Sequence, residues 1–372
     1  MGINSLNKLL KNRCPNVFET IHLSEYAYKK VAVDLTLFLC KFKTVCGDRW
    51  LSAFLNLVSC LRKNEIHCVF VYEVKSPPEK EAEREKRAEQ REKNEMKVYM
   101  LEEALKEYHR TGEIAECLIE LDRKEKEKNK TPQRLLQRED TSVNMSFVEY
   151  KIEKMRSYIL KISGEDFILT KQLFDILNVP YYEAPLEAET MCADLCKRGI
   201  VDAVLSEDTD VLAYSSPVFL TKINTSDGTC VRISHSQVLE SLELEDREFL
   251  DLCIMCGTDY NKNIPKVGPE KSYRYISKYR TIEGVAEGAN LDVSILNYET
   301  SRRMFLEYER SSVESVPYCG APDFNKLREF VFKHNLGLNV DSLQRSFSNS
   351  ILILDEDDVV LEEDECEFEC EE

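Results

Sequence analysis

The chain has 372 residues, 43% of them hydrophobic, enough for one large α/β domain with insertions or for two domains. No apolar run reaches membrane-spanning length, the N-terminus lacks a signal peptide's apolar core, and Leu6 breaks the myristoylation pattern in MGINSL, so no membrane association or export is expected. The net charge of −18 disfavours nucleic acid only superficially. Asp355 to Glu372 holds twelve acidic and no basic residues, which leaves about −6 on residues 1–354 and room for local basic faces.

MGINSLNKLLKN opens with helical spacing at Ile3, Leu6, Leu9 and Leu10. Tyr28 to Phe38, YKKVAVDLTLF, reads as a β-branched strand with Asp34 at its end, where a lone Asp also suits a helix cap. Leu51 to Asn64 is an amphipathic helix, and Ile66 to Tyr72 a second buried strand that ends in Glu73. From Ser76 to about Ser142 the composition turns almost wholly charged. At helical spacing Lys80, Arg84, Arg87 and Arg91 share one stripe, and Glu81, Glu85 and Glu92 another. Such a helix is either solvated and laced by ion pairs or faces phosphate.

Phe147 to Leu177 patterns as two helices, VPYYEA as a short strand, and Pro185 opens a helix through Lys197 that Gly199 stops. VDAVLS is a strand with SEDTD at its carboxyl end, and PVFLTKI and GTCVRI are further strands. Glu248 to Gly257 is an apolar helix ending in GTDY, which supplies Asp259. The turn Lys266-Val267-Gly268-Pro269 and the basic helix after it, with Lys271, read as a helix–turn–helix able to hold phosphate on free N–H groups. The organisation is therefore an α/β region 1–78, a charged helical insertion 79–146, a second α/β region 147–285, a helical extension 286–350, and an acidic tail 351–372 expected to be disordered.

Fourteen cysteines lack framework spacing and are expected as reduced thiols of a cytosolic or nuclear protein. The CxxC at Cys253 and Cys256 lies in an apolar helix and reads as core. Five histidines fall at no ligand spacing, which argues against zinc.

The acids at element boundaries carry the chemistry. Glu187/Glu189 and Asp208/Asp210 form two pairs, although acids in a first helical turn also serve the helix dipole. With Asp34, Glu73 and Asp259 they make seven carboxylates, mostly at strand ends or helix starts. If these converge, oxygen-only ligands suit two Mg²⁺ ions, with Mn²⁺ able to substitute, about 4 Å apart for in-line phosphodiester hydrolysis.

At these motifs the sequence resembles the flap endonuclease/XPG family of structure-specific 5′ nucleases. The likeness runs through VAVDLTLFL, VFVYEVKSPPEK, VPYYEAPLEAETMCADL, VLSEDTDVLAYSSP, DLCIMCGTDY and IPKVGPEKS. It implies a mostly parallel α/β sheet with the active site over the strand ends, two metals on the seven carboxylates, and the Gly2 amino group near them. It implies transition-state roles for Lys80 and Arg87, and DNA-backbone contacts around Gly268, Lys266 and Lys271, with a K⁺ ion; Arg84 and Arg91 are candidate DNA-binding residues on the same stripe, for which the solvated helix stays open. The expected partner is branched or flapped double-stranded DNA, the expected state a monomer, and the expected residence nuclear. Four features depart from flap endonucleases. Glu73 stands where they carry Asp, and Cys40 where they tend to carry Tyr, both more like the Holliday-junction-resolving branch. Lys266 replaces a usual Gly, and Gln344 to Phe347 lacks the paired aromatics of a sliding-clamp motif.

Overall fold

A computed structural model of the chain describes residues 2–128, 143–159, 162–347, 353–355 and 358–360. Seven strands form its main sheet: β1 (Glu19–His22), β2 (Lys30–Asp34), β3 (His67–Glu73), β4 (Tyr181–Ala184), β5 (Ala203–Leu205), β6 (Val218–Asn224) and β7 (Thr229–Ser234). They lie in the order β1-β7-β6-β5-β2-β3-β4. The five from β6 to β4 are parallel, while β7 runs antiparallel to β6 and β1 antiparallel to β7. The central strands are buried along almost their whole length, as parallel strands covered on both faces must be. This is the mixed, mostly parallel α/β sheet that the sequence implied.

The order has a functional consequence. From β2 the chain moves to β3 on one side and later to β5 on the other, so the carboxyl ends of β2, β3 and β5 share one rim at a topological switch point.

The chain divides into two compact units. The first comprises Met1–Phe38, Leu51–Ser76 and Gly164–Glu372, and it contains the sheet. The second comprises Leu39–Trp50 and Pro77–Ser163. In the second, the helices Glu81–Thr111, Glu116–Lys128 and Met145–Ser157 close on a small core of Leu101, Leu118, Leu121, Val148 and Ile152. The N-terminal half of the long helix contributes nothing to that core. It is exposed and laced by pairs such as Arg87–Glu83 and Lys93–Glu89, until Gly112 at φ 79° ends the helix.

Several boundaries differ from the sequence reading. The run Tyr28 to Phe38 is not one strand: β2 stops at Asp34 and the helix Leu35–Cys46 begins at once. Asp34 Oδ1 accepts the Leu37 N–H (3.2 Å), so the acid at the strand end is also the helix cap. The helix expected from Pro185 starts at Ala188, with Glu187 as its N-cap. β1 and the helix His235–Leu242 have no counterpart in that reading. In the tail, expected to lack regular structure, Ile353–Asp355 pairs antiparallel with Asp358–Val360, both apolar or β-branched segments; the rest of it lies outside the described residues. Cys253 and Cys256 are fully buried in the main core, as read.

Candidate active site

The acids of the first unit arrive on several elements, Asp34 on β2, Glu73 on β3, Glu187 and Glu189 at one helix start, and Asp208 and Asp210 in the turn after β5. Asp34 ends β2 and is 3% exposed. Its Oδ2 accepts the Ser206 hydroxyl at 3.3 Å, and Ser206 Oγ in turn accepts the Asp208 N–H at 3.1 Å. One buried serine just past β5 thus ties the two acids together. Asp208 Oδ1 accepts the Asp210 N–H at 2.9 Å, which turns the chain into the short helix Asp210–Ala213. Glu73 ends β3, and its N–H donates to Thr36 Oγ1 at 3.3 Å.

The electrostatics of the buried groups reflect these neighbours. Burial pushes the Asp34 carboxyl up to about 7, and the negative charges of Asp208 and Glu73 push the same way. The fully buried Cys192 thiol is raised well above its usual range by burial, and by Asp34 and Glu189 beside it. The Tyr260 phenol is raised by burial and by Glu187, with Asp210 adding to it. Asp34 thus neighbours Asp208 and Glu73, Asp34 and Glu189 flank Cys192, Glu187 and Asp210 flank Tyr260, and Asp259 adjoins Tyr260 in the chain. Among the described residues no three such side chains are already gathered at the spacing of a single ion's ligands.

Glu187 is buried and held by two phenols. It is 3% exposed, and its Oε2 accepts hydroxyl bonds from Tyr260 and, at 3.2 Å, from Tyr214. The two hydroxyls lie 3.0 Å apart. Asp259 sits in a turn fixed by Asn261, whose Oδ1 accepts the Thr258 hydroxyl (2.6 Å) and whose Nδ2 donates to the Ile254 carbonyl. At the N-terminus the Asn4 N–H donates to the Gly257 carbonyl. Gly2, at φ 87°, packs so closely on Asp208 and Thr209 that a Cβ there would overlap both.

The helix–turn–helix is built as read. The Val267 N–H donates to the Ile264 carbonyl across Pro265 and Lys266, and Lys266 stands at φ 65°. That is a type II turn, whose third residue favours glycine. Gly268 then caps the helix Pro269–Tyr279. Lys8, Lys266 and Lys271 line a shallow pocket of about 310 Å³ there. In the second unit Lys80 ends a 3₁₀ turn and is buried, Arg87 donates through Nε to Glu83 (3.2 Å), and Arg84 and Arg91 are exposed.

Comparison with known proteins agrees with this geometry. Family models for the XPG N-terminal domain and the XPG I-region match residues 1–94 and 178–259. A probable RAD2-like endonuclease of Invertebrate iridescent virus 3 is 35% identical over 92% of this chain and 96% of its own length. The chain belongs to the flap endonuclease/XPG family. It is accordingly a structure-specific endonuclease. Flap endonuclease 1 of Drosophila mojavensis is 30% identical over 89% of the chain and 80% of its own length. Among solved structures, the catalytic core of Rad2 in complex with DNA substrate shares the fold at TM-score 0.63 and 16% identity, covering 93% of this chain and 98% of that one. Flap endonuclease-1 of Methanococcus jannaschii does so at 0.57 and 21%, covering 89% and 95%.

Three residues of this XPG-family rim escaped the sequence reading: Ser206, Tyr214 and Tyr260. The signal available was faint. Each is a polar residue one to four positions from an acid, inside VLSEDTDVLAYSSP or GTDY.

Proposed function

We propose that this chain is a Mg²⁺-dependent endonuclease that cuts branched DNA at the base of 5′ flaps. The observation that carries the reading is the acid rim, where Asp34, raised first by burial, is raised further by Asp208 and Glu73 from distant parts of the sequence. The donor set suits a hard cation: the acids offer only oxygen, and burial keeps the nearby Cys192 thiol protonated. Asp34, Glu73, Glu187, Glu189, Asp208, Asp210 and Asp259 are assigned to hold two ions. When bound, such ions supply an activated water and neutralise the scissile phosphate.

The other residues have separate work. Ser206 keeps Asp34 and Asp208 in fixed relation, and Gly2 leaves Asp208 the space it occupies. Lys80 and Arg87 are assigned to the charge that develops on the phosphate. Gly268, Lys266 and Lys271, with Arg84 and Arg91, are assigned to backbone phosphates, so recognition follows DNA shape rather than sequence. Preference for a 5′ flap rests on the likeness to flap endonucleases. Glu73 and Cys40 favour a second reading, cleavage of four-way junctions.

The test is cleavage of matched 5′-labelled substrates, a flap, a nicked duplex, a four-way junction and a single strand, with Mg²⁺ or EDTA. Metal-dependent cutting at the flap base, lost in Asp208→Asn while DNA binding persists, is the expected result. Cutting chiefly at the four-way junction selects the second reading, and cutting unaffected by EDTA refutes the metal mechanism.

A further inference from the structure

We propose that Cys68 and Cys319 form a redox-active thiol pair, which a hydroperoxide converts to a disulfide that staples the C-terminal helical extension to β3. Cys68 is the second residue of β3, near the opposite end of the strand from Glu73, and it is fully buried. Cys319 lies 251 positions later, in the irregular stretch between the helices Tyr298–Leu306 and Phe324–Lys333. The two side chains are hydrogen-bonded to each other. Cys319 Sγ also stands 3.3 Å from the Cys68 carbonyl oxygen, to which its protonated form donates.

The stretch around Cys319 is fixed from several sides. The Cys319 N–H donates to His67 Nδ1 at 3.0 Å, and Arg62 Nη1 donates to the same nitrogen at 2.9 Å. The Tyr318 ring meets the His67 ring edge-on, with centroids 4.5 Å apart, and Lys30 Nζ sits 4.2 Å from the Tyr318 centroid. Beyond the cysteine, the Gly320 N–H donates to the Asn178 carbonyl and the Asp323 N–H to the Ile176 carbonyl. Two thiols held in this way meet without a search, which favours the intramolecular step. Their affinities for a proton differ. The bond to Cys319, and then burial, raises Cys68 well above the ordinary thiol range. The bond to Cys68 lowers Cys319, burial opposes it, and His67 and Arg62 favour the Cys319 thiolate. Cys319 is therefore the attacking sulfur. It is 7% exposed, beside the exposed Tyr318, so a small oxidant meets it first and Cys68 lies behind it. The Cys319 sulfur attacks one oxygen of the hydroperoxide. The S–O bond forms, the O–O bond breaks, and the leaving oxyanion takes up the proton that Cys319 gave. The Cys68 sulfur then attacks the sulfenic acid. The S–S bond forms, the S–O bond breaks, and the hydroxyl leaves as water with the Cys68 proton. The two thiols lose two electrons and the hydroperoxide gains them.

The experiment treats the folded full chain with hydrogen peroxide, blocks the remaining thiols with N-ethylmaleimide in denaturant, and maps a non-reducing proteolytic digest by mass spectrometry. A peptide pair joined through Cys68 and Cys319, and released by dithiothreitol, is the expected result. Closing a loop of 251 residues restricts the unfolded chain, so the oxidised protein should melt on the order of 5 °C above the reduced one. That rise should vanish in Cys319→Ala. Recovery of both cysteines as maleimide adducts after peroxide treatment overturns the proposal, as does linkage of either to a different cysteine. A linkage that leaves the melting temperature unchanged, or an equal rise in Cys319→Ala, refutes the staple. Should Cys319→Ala fail to fold, the digest of the unmodified protein and its melting before and after dithiothreitol decide the matter, since neither needs a substitution. The outcome is independent of the metal reading, because the assay uses neither Mg²⁺ nor DNA.

Discussion

At Gly2 the backbone stands at φ 87°, and a methyl group there would lie 2.0 Å from Asp208 Oδ1 and 2.7 Å from Thr209 Oγ1. Ordinary contact begins near 3.4 Å, so in Gly2→Ala the Asp208 carboxylate or the N-terminal segment must yield by more than about 1 Å. The left-handed backbone adds about 1–2 kcal/mol of strain for any residue with a Cβ. Asp208 is tied to Asp34 through Ser206 and to the Asp210 N–H, so a shift there spreads along the rim. Displacements of about 1 Å in a reacting constellation cost on the order of 100-fold in rate. Single-turnover cleavage of a 5′ flap by Gly2→Ala should fall by about that factor. Binding of the same DNA in EDTA should hold, because the basic helices are untouched. Cleavage within about threefold of the unmodified protein would refute the contact and with it the assigned place of the N-terminus, since so small a loss is far below the misplacement penalty.

Other consequences are equally open to measurement. Lys266 occupies the glycine position of a type II turn at φ 65°, so Lys266→Gly should raise stability by about 1 kcal/mol in chemical denaturation, and no gain would mean the turn relaxes in solution. Arg302, 8% exposed, binds the fully buried Asp251 through two nitrogens and reaches Glu283, so Arg302→Met should cost about 3–5 kcal/mol by stranding Asp251. The Arg302 guanidinium holds the Glu283 carboxyl down at about 2 against an ordinary value of 4.5. A depressed carboxyl contributes stability above about pH 4.5 and loses it as pH falls towards about 2. Because Glu283 is half exposed, the contribution is about 1 kcal/mol, and Glu283→Gln should flatten the acid side of the stability profile by that amount.

The parts of the fold legible in the sequence were those where local pattern and tertiary environment agree. The β-branched runs of β2 and β3 each close with an acid, and the parallel sheet sets those acids on one rim. Where two environments share one composition, the pattern fails. From Val31 to Phe38 the segment is apolar except at Asp34 and Thr36, and a buried strand followed by a buried helix offers no clear change of period, only the cap at Asp34 to divide them. β1, four residues long with alternating burial at the sheet's edge, is too short for periodicity to mark. The Tyr214–Tyr260–Glu187 cluster joins residues 27, 46 and 73 positions apart, a relation that exists only once the sheet has formed.

The connection between β3 and β4 carries a different lesson. These strands are hydrogen-bonded neighbours, yet about a hundred residues separate them, including most of the second unit. Closing a chain loop costs entropy only as the logarithm of its length, so each doubling adds roughly 0.6 kcal/mol. Lengthening this connection therefore burdens the sheet very little. The segment between these strands can therefore change in length while the strands, and the acids at their ends, keep their register.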